Sequence, residues 1–394
     1  MPSVIVAKRR ESVEILNLVR SLGYRISSVI EFREAKNPKY FLSIGKIGEL
    51  KSVLSGEKVI IDGILKSSQW YNLERELGVE VRDRVGLIID IFADRAKSRE
   101  AMMQVEYAQL KYEIPRIREL IHHQRAGEHA GWMGAGEYEI ADYYEMIRRR
   151  MSRIEKELKK MKIIRAERRK RRRKEGFVLV GIGGYTNSGK STLMNALTSS
   201  GRVMESRMFS TLATKTSRMG KSRILITDTV GFVEDMPPWL IHAFEPTLEE
   251  IYEADVVILL ADGSDSIPEF QRKVSVSANI LESHVNGTIV PVINKVDVAD
   301  NIDEKLNIMS KYGPVETISA KEGVGIDSLI SRIEKEAGVI STEVKVKTMN
   351  SELCAYIRRY GQITKIEEDD CITIHFKMRR ELLENLQKIR SSCP

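Results

Sequence analysis

Residues 184–191, Gly-Tyr-Thr-Asn-Ser-Gly-Lys-Ser, decide how the rest of the chain is read. They match G-x-x-x-x-G-K-[ST] between an apolar run, FVLVGIGG (177–184), and a helix-like run, STLMNALTS (191–199). A strand, a glycine-rich turn and a helix in that order aim several backbone N–H groups at one point, at the positive end of the helix, which suits a polyphosphate. In this reading Gly184, Tyr185, Thr186, Asn187, Ser188 and Gly189 form the cradle. Lys190 neutralises the β- and γ-phosphates, Ser191 offers a small hard oxygen to Mg²⁺, and Thr192 follows in the first helical turn. By chance the pattern arises in roughly 3 of 100 chains of this length. It needs support.

Two stretches supply it. ILITDTVGF (224–232) is an apolar strand ending in Asp228-Thr229-Val230-Gly231, where Asp228 holds Mg²⁺ through water and the Gly231 N–H meets the γ-phosphate. IVPVINKVD (289–297) is a second buried-strand pattern ending in Asn294-Lys295-Val296-Asp297. The Asp297 carboxylate accepts from the N1 and N2 donors of guanine, which adenine lacks, so GTP is the substrate expected. Lys295 lies along the base and ribose. Ser319-Ala320-Lys321, again at a strand end, fits a last loop that touches the base. Phe209-Ser210-Thr211-Leu212-Ala213 falls where a threonine should complete the Mg²⁺ shell; Thr211 is chosen, with Thr214 and Thr216 as surface or alternative threonines. Lys190, Thr211 and Gly231 are the expected catalytic set.

Outward from this core, strand–helix alternation over residues 3–95 predicts a small parallel α/β domain. Residues 96–175 carry apolar positions at helical spacing on both sides of AGEHAGWMGAGE (126–137), a glycine-rich loop, and predict a long antiparallel helical hairpin with Pro115 kinking its first helix. Residues 176–340 form the P-loop domain with a mostly parallel sheet, and 341–394 read as a small α+β unit. The 394 residues exceed one core, and three cysteines without ligand or disulfide spacing point to a reducing compartment. Apolar runs fall far short of the roughly 18 residues of a membrane span. A soluble cytoplasmic monomer is expected.

Several features carry more than one reading. After Asp-x-x-Gly, Phe232 stands where a water-orienting glutamine serves Ras-like enzymes, which predicts slow intrinsic turnover accelerated by a large complex. Trp239, Leu240, Ile241 and Phe244 in EDMPPWLIHAF either pack on a neighbouring helix or dock on a partner. The run RAERRKRRRKEG (165–176) is a phosphate-binding stripe or a solvated helix end. His122, His123 and His129 lack carboxylates in ligand spacing and read as surface histidines, and Tyr143 and Tyr144 as part of the hairpin seam.

Long stretches of the chain resemble the HflX family of ribosome-associated GTPases. They include FLSIGKIGELK, DRVGLIIDIFADRAKSREAMMQVEYAQLKY, GYTNSGKSTLMNALT, FSTLATKTSR and DTVGFVEDMPPWLIHAFEPTLEE. The resemblance implies GTP hydrolysis with Lys190, Ser191, Thr211 and Asp297 in the family's motif positions. It also implies binding to the large ribosomal subunit and its rRNA, in rescue of stalled ribosomes, splitting or assembly. Two departures stand out. AGEHAGWMGAGEYEIADYYE replaces the family's G-G-x-G-x-R-G-P-G-E-T-Q-L-E loop, and LATKTS replaces L-D-P-T-T-R. GTPases serving an RNA-modifying enzyme or a peripheral membrane contact are the alternatives, supported by no second catalytic constellation and no strongly amphipathic apolar helix.

Overall fold

The computed structural model describes all residues except 1, 11, 34–36, 126–136, 199–214, 229–230, 283, 347–350, 369–371 and 392–394. The chain divides into two compact units, Met1–Met161 with Met236–Phe244, and Lys162–Asp235 with Glu245–Pro394.

The first unit opens with β1 (Ser3–Arg9), α1 (Glu14–Ser21), β2 (Arg25–Phe32), α2 (Ile44–Val53), β3 (Lys58–Ile61), α3 (Ser67–Leu77) and β4 (Val81–Asp83). The strands form a parallel sheet in the order β2-β1-β3-β4. β1 is central and buries five consecutive residues, whereas β2 at the edge alternates, as one-sided cover demands. The family-like FLSIGKIGELK forms α2, entered through Ser43, whose hydroxyl accepts from the Lys46 N–H at 3.4 Å.

One buried carboxylate sets the next turn. Asp83 caps α4 (Arg84–Arg95) by accepting from Gly86 N–H at 2.8 Å, and also receives Leu65 N–H and the Tyr112 hydroxyl at 3.1 and 2.5 Å. Tyr112 lies on α5 (Arg99–Arg125), and a Cβ on Gly86 would stand 2.7 Å from its hydroxyl oxygen, so glycine lets the two helices close. α5 is continuous through Pro115. The adjacent Arg84 is fully buried between Asp62, at 2.8 Å, and Glu14.

α6 (Glu137–Lys174) returns antiparallel to α5, with Arg150 on Glu106 at 2.5 Å and Arg118 on the Tyr144 hydroxyl at 2.6 Å. Its Ile147 and Ile154 are buried, and Tyr143 is 44% exposed on the side facing Glu113 of α5. His123 stacks on Tyr71 at 4.0 Å and faces Glu119 at 3.3 Å; His129 lies outside the described residues. The unit is completed by α8 (Pro238–Ala243), whose Leu240 is buried and whose neighbour Phe244 meets Phe92 edge-on at 4.4 Å. The Lys111 ammonium stands 5.7 Å from the Trp239 ring centroid. The apolar segment after Asp-x-x-Gly is therefore packed on helices α4 and α5.

The second unit is built on a six-stranded sheet in the order β10-β9-β8-β5-β7-β6. Its strands are β5 (Val178–Gly184), β6 (Lys215–Arg218), β7 (Ile224–Asp228), β8 (Val256–Asp262), β9 (Thr288–Asn294) and β10 (Glu316–Thr317). All pairings are parallel except β6 with β7. Every residue of β5 and β8 is buried, as central strands covered on both faces require. The helices are α7 (Lys190–Thr198), α9 (Glu245–Tyr252), α10 (Ile267–Glu282), α11 (Ile302–Ser310) and α12 (Ile326–Glu336), with a short 3₁₀ turn at Val296–Val298. The chain ends in β11 (Val339–Val346), α13 (Ser351–Tyr360), β12 (Gln362–Glu368), β13 (Ile372–Arg379) and α14 (Arg380–Ser391). Their antiparallel sheet, β11-β13-β12, covers a core that includes Ile357, Ile374 and Phe376.

Replacing Arg84 with Met takes the buried cation from between Asp62 and Glu14 and leaves Asp62 with Arg9 at 3.5 Å. Urea denaturation should show a loss of about 3–5 kcal/mol, largely recovered in Arg84→Met/Asp62→Leu/Glu14→Leu.

Candidate functional site

The sheet order reverses between β5 and β8, and crevices at the carboxyl ends of such strands are where ligands sit. β5 delivers the turn 184–189 at this edge. A Cβ on Gly184 would collide with the Leu260 carbonyl of β8, and one on Gly189 with the Asn294 amide. Gly189 has φ 93° and Asn187 φ 66°, left-handed conformations that bend the loop tightly over the start of α7. Within it Thr186 Oγ1 and Ser188 Oγ are buried and have no hydrogen-bond partner. Two orphaned hydroxyls lining a loop of this shape are open positions for ligand oxygens.

Lys190 begins α7 and folds back, its ammonium donating to the carbonyls of Tyr185 at 2.8 Å and Gly184 at 3.2 Å. Burial pushes its pKa down to about 8, with the Asp228 carboxylate opposing the shift. The following Ser191 hydroxyl donates to Asp228 Oδ2 at 2.8 Å, so two hard oxygen groups from α7 and the end of β7 adjoin. A Cβ on Gly231 would lie 2.8 Å from Lys190 Nζ, which places the start of the Asp-x-x-Gly loop's exit directly against the lysine.

Beyond Gly231 the chain pairs with the phosphate loop itself. Phe232 N–H donates to the Gly184 carbonyl at 3.1 Å, and Thr186 N–H to the Phe232 carbonyl at 2.9 Å. Tyr185 continues the zipper by accepting the Glu234 N–H on its hydroxyl at 2.9 Å. The Phe232 ring is 4% exposed. It is spent on packing, and neither it nor its backbone is free to orient a water.

Asn294 joins the other two loops to this one. Its side-chain amide donates to the Ser188 carbonyl at 2.9 Å and accepts the Ala320 N–H at 3.0 Å, all within the interior. Lys295 adopts φ 62° and reaches Asp262 at 2.5 Å. Asp297 is exposed at the mouth, its pKa held below the usual carboxylate range by the Ser319 hydroxyl, against a small opposing effect of burial. Ser319 itself is buried, and Lys321 projects outward.

The structure thus gathers Gly184 to Thr192, Asp228, Gly231, Asn294 to Asp297 and Ser319 to Lys321 on one edge of the sheet. Phe209, Ser210, Thr211, Leu212 and Ala213, with Thr229 and Val230, lie outside the described residues. Two residues escaped the sequence reading. Asp262, the last residue of β8, holds both Lys295 and the Ser264 hydroxyl, at 2.5 and 2.6 Å. Lys305 on α11 is 2% exposed and donates to the carbonyls of Gly263 and Asp300, each at 2.6 Å, pinning two loops beside the turn 294–297. The signals were an aspartate closing a wholly apolar strand and a lysine on the apolar face of IDEKLNIMS.

Comparison with known proteins follows the same lines. Family models match residues 9–93 (GTP-binding GTPase N-terminal), 95–172 (GTP-binding GTPase Middle Region) and 179–295 (50S ribosome-binding GTPase). The GTPase HflX of Thermococcus kodakarensis is 41% identical, with 98% of this chain and 93% of that protein covered. That of Methanocaldococcus jannaschii is 34% identical over 97% of each. Among solved structures, SsGBP in complex with GDP matches with TM-score 0.52 at 28% identity, covering 86% of this chain and 98% of that one.

A lysine with a pKa near 8 must take up a proton to meet a phosphate in its charged form above that pH. Affinity for GDP, measured by fluorescent-nucleotide titration, should therefore be flat up to about pH 8 and weaken toward tenfold per unit beyond it.

Proposed function

The chain belongs to the HflX family of GTPases, and from that premise we propose that it acts on the large ribosomal subunit, binding it with GTP and leaving after hydrolysis. The observation that carries this is the match of residues 179–295 to a family described as 50S ribosome-binding GTPases, over the region whose loops Asn294 ties into one site. Rescue, splitting or assembly of ribosomes in the cytoplasm is the process we assign to it, with rRNA among its contacts and a monomer as the acting form. The pieces 1–95, 96–175, 176–340 and 341–394 are the working parts of that reading.

In this proposal the loop 184–189 and Lys190 hold the phosphates, and Gly231 reports on the last of them. The orphaned hydroxyls of Thr186 and Ser188 support a ligand rich in acceptor oxygens. The adjoining Ser191 hydroxyl and Asp228 carboxylate are a donor set that fits Mg²⁺, with Thr211 as the third residue assigned to it. The ion neutralises charge on the β- and γ-phosphates. Guanine is selected by Asp297, whose exposed carboxylate the Ser319 hydroxyl keeps ionised and oriented.

With the Phe232 ring packed away and no glutamine in its place, water positioning is left to the ribosome-bound state. Single-turnover GTP hydrolysis should accelerate at least about tenfold when large subunits are added. Equal rates with and without them would reject this part of the proposal.

Asp297→Asn exchanges an acceptor for a donor at unchanged size. GDP affinity should fall by about 10²-fold or more while xanthosine diphosphate, which carries an oxygen at that position, gains. Competition binding with the two nucleotides reads both changes.

A further inference from the structure

The segment KIIRAERRKRRRK, residues 162–174, carries nine Lys or Arg side chains and one Glu, a net charge of +8 against +7 for the entire protein. All of it lies on the last turns of α6. As a sequence it is one uniform basic run. In the fold it separates into two faces.

The inward face is neutralised. Lys162 meets Glu249 at 2.7 Å, Arg165 meets Glu249 at 3.1 Å, Arg169 meets Glu250 at 3.0 Å, and Arg173 stands 3.7 Å from Asp255 and 3.8 Å from Glu253. Four cations spaced three or four residues apart thus face four carboxylates on α9 and the turn after it, and Arg165 and Arg169 have little exposed surface.

The outward face has no such match. Arg168, Lys170 and Lys174 are exposed and have no ion-pair partner among the described residues. Arg171 is 81% exposed and among the described residues pairs only with Glu175, just past the end of its own helix, at 3.0 Å. Arg168, Arg171 and Lys174 follow one another at three-residue steps, about 5–6 Å apart, and Lys170 lies four residues before Lys174, so the cations spread over a broad outward face of the helix. The apolar surface beside them is Ile163 and Ile164, 62% and 47% exposed. A helix lying in a lipid interface needs a continuous apolar face, and two residues do not make one.

We propose that Arg168, Lys170, Arg171 and Lys174 form a phosphate-tracking stripe that lies along the sugar–phosphate backbone of double-helical RNA. The inward arginines fix the helix so that the outward face is held out rigidly, with no ordering of the segment left to be done on binding. Contacts of this kind carry no base specificity and are strongly salt-sensitive. The inference deepens the ribosomal reading, on which it rests for the source of the RNA.

The test uses the full chain and the variant Arg168→Gln/Lys170→Gln/Arg171→Gln/Lys174→Gln, whose glutamines retain helix propensity. Binding to a short fluorescent RNA duplex is followed across a salt series, with GDP affinity as the control for folding. The stripe predicts that log K against log[salt] becomes shallower by about 3 and that duplex affinity at about 0.15 M salt drops by about two orders of magnitude, with GDP binding unchanged. The charge-preserving Arg168→Lys/Arg171→Lys should keep the wild-type slope. Equal slopes for wild type and the glutamine variant would overturn the proposal. So would a loss confined to vesicles of phosphatidylcholine with phosphatidylserine, which would assign the stripe to a membrane. Sedimentation with large subunits separates the two readings. Wild type that fails to sediment defeats the ribosomal reading and leaves the duplex series to decide the stripe. Wild type and variant that sediment with equal salt dependence defeat the stripe and leave the ribosomal reading standing.

Discussion

The nucleotide site depends on one buried amide. Asn294 closes β9 with its backbone and spends its side chain on the Ser188 carbonyl and the Ala320 N–H, one partner in the loop 184–189 and one in the loop 319–321. Leaving either partner unmet in the interior would forfeit about 1–3 kcal/mol. Because both are met by a single planar group, the loops 184–189, 294–297 and 319–321 share one frame, which in the proposed reading fixes the spacing between phosphate and base before a nucleotide arrives. Such preorganisation spares ordering at the moment of binding. Lys295 to Asp262 and Lys305 to the Gly263 and Asp300 carbonyls extend the same frame outward.

On the other side of the site the Lys190 ammonium is taken by loop carbonyls, the Phe232 backbone pairs with Gly184 and Thr186, and Glu234 meets Arg272 of α10. Among the described residues the buried lysine has no anion in direct contact, and burial lowers its pKa. A charge kept in such surroundings is one for which an incoming phosphate is a strongly favoured partner. In the proposed reading the fold thus combines a braced edge for the base with a set of contacts that phosphate oxygens can replace.

Much of this was legible because short motifs closed apolar strands. Gly184 to Ser191, Asp228 with Gly231, and Asn294 to Asp297 each follow a run of buried residues, and strand ends in a parallel sheet converge on one crevice. The strands β1 to β4 and the two long helices were equally readable from periodicity. What was not legible depends on distant partners. No local pattern says that Arg165 and Arg169 turn inward while Arg168 and Lys170 turn outward, since that is decided by the carboxylates at Glu249 and Glu250. Nor does composition reveal that Lys305 sits in the interior on two carbonyls, or that Asp83 gathers a helix cap, a loop amide and a tyrosine hydroxyl at one carboxylate. Trp239 to Phe244 read as packing residues with docking on a partner as the alternative, and Phe92 and Lys111 on other elements show the packing.

The membership of Met236–Phe244 in the first unit has a consequence for biosynthesis. The surface of α4 around Phe92 is made early, yet the side chain that covers it, Phe244, is translated only after the whole phosphate-binding region. A nascent chain that has emerged as far as Met161 therefore exposes an uncovered apolar seat, and the first unit cannot be completed until the start of the second has left the tunnel. Maturation of the two units is interleaved rather than sequential, with the last piece of the earlier one threaded through the middle of the later.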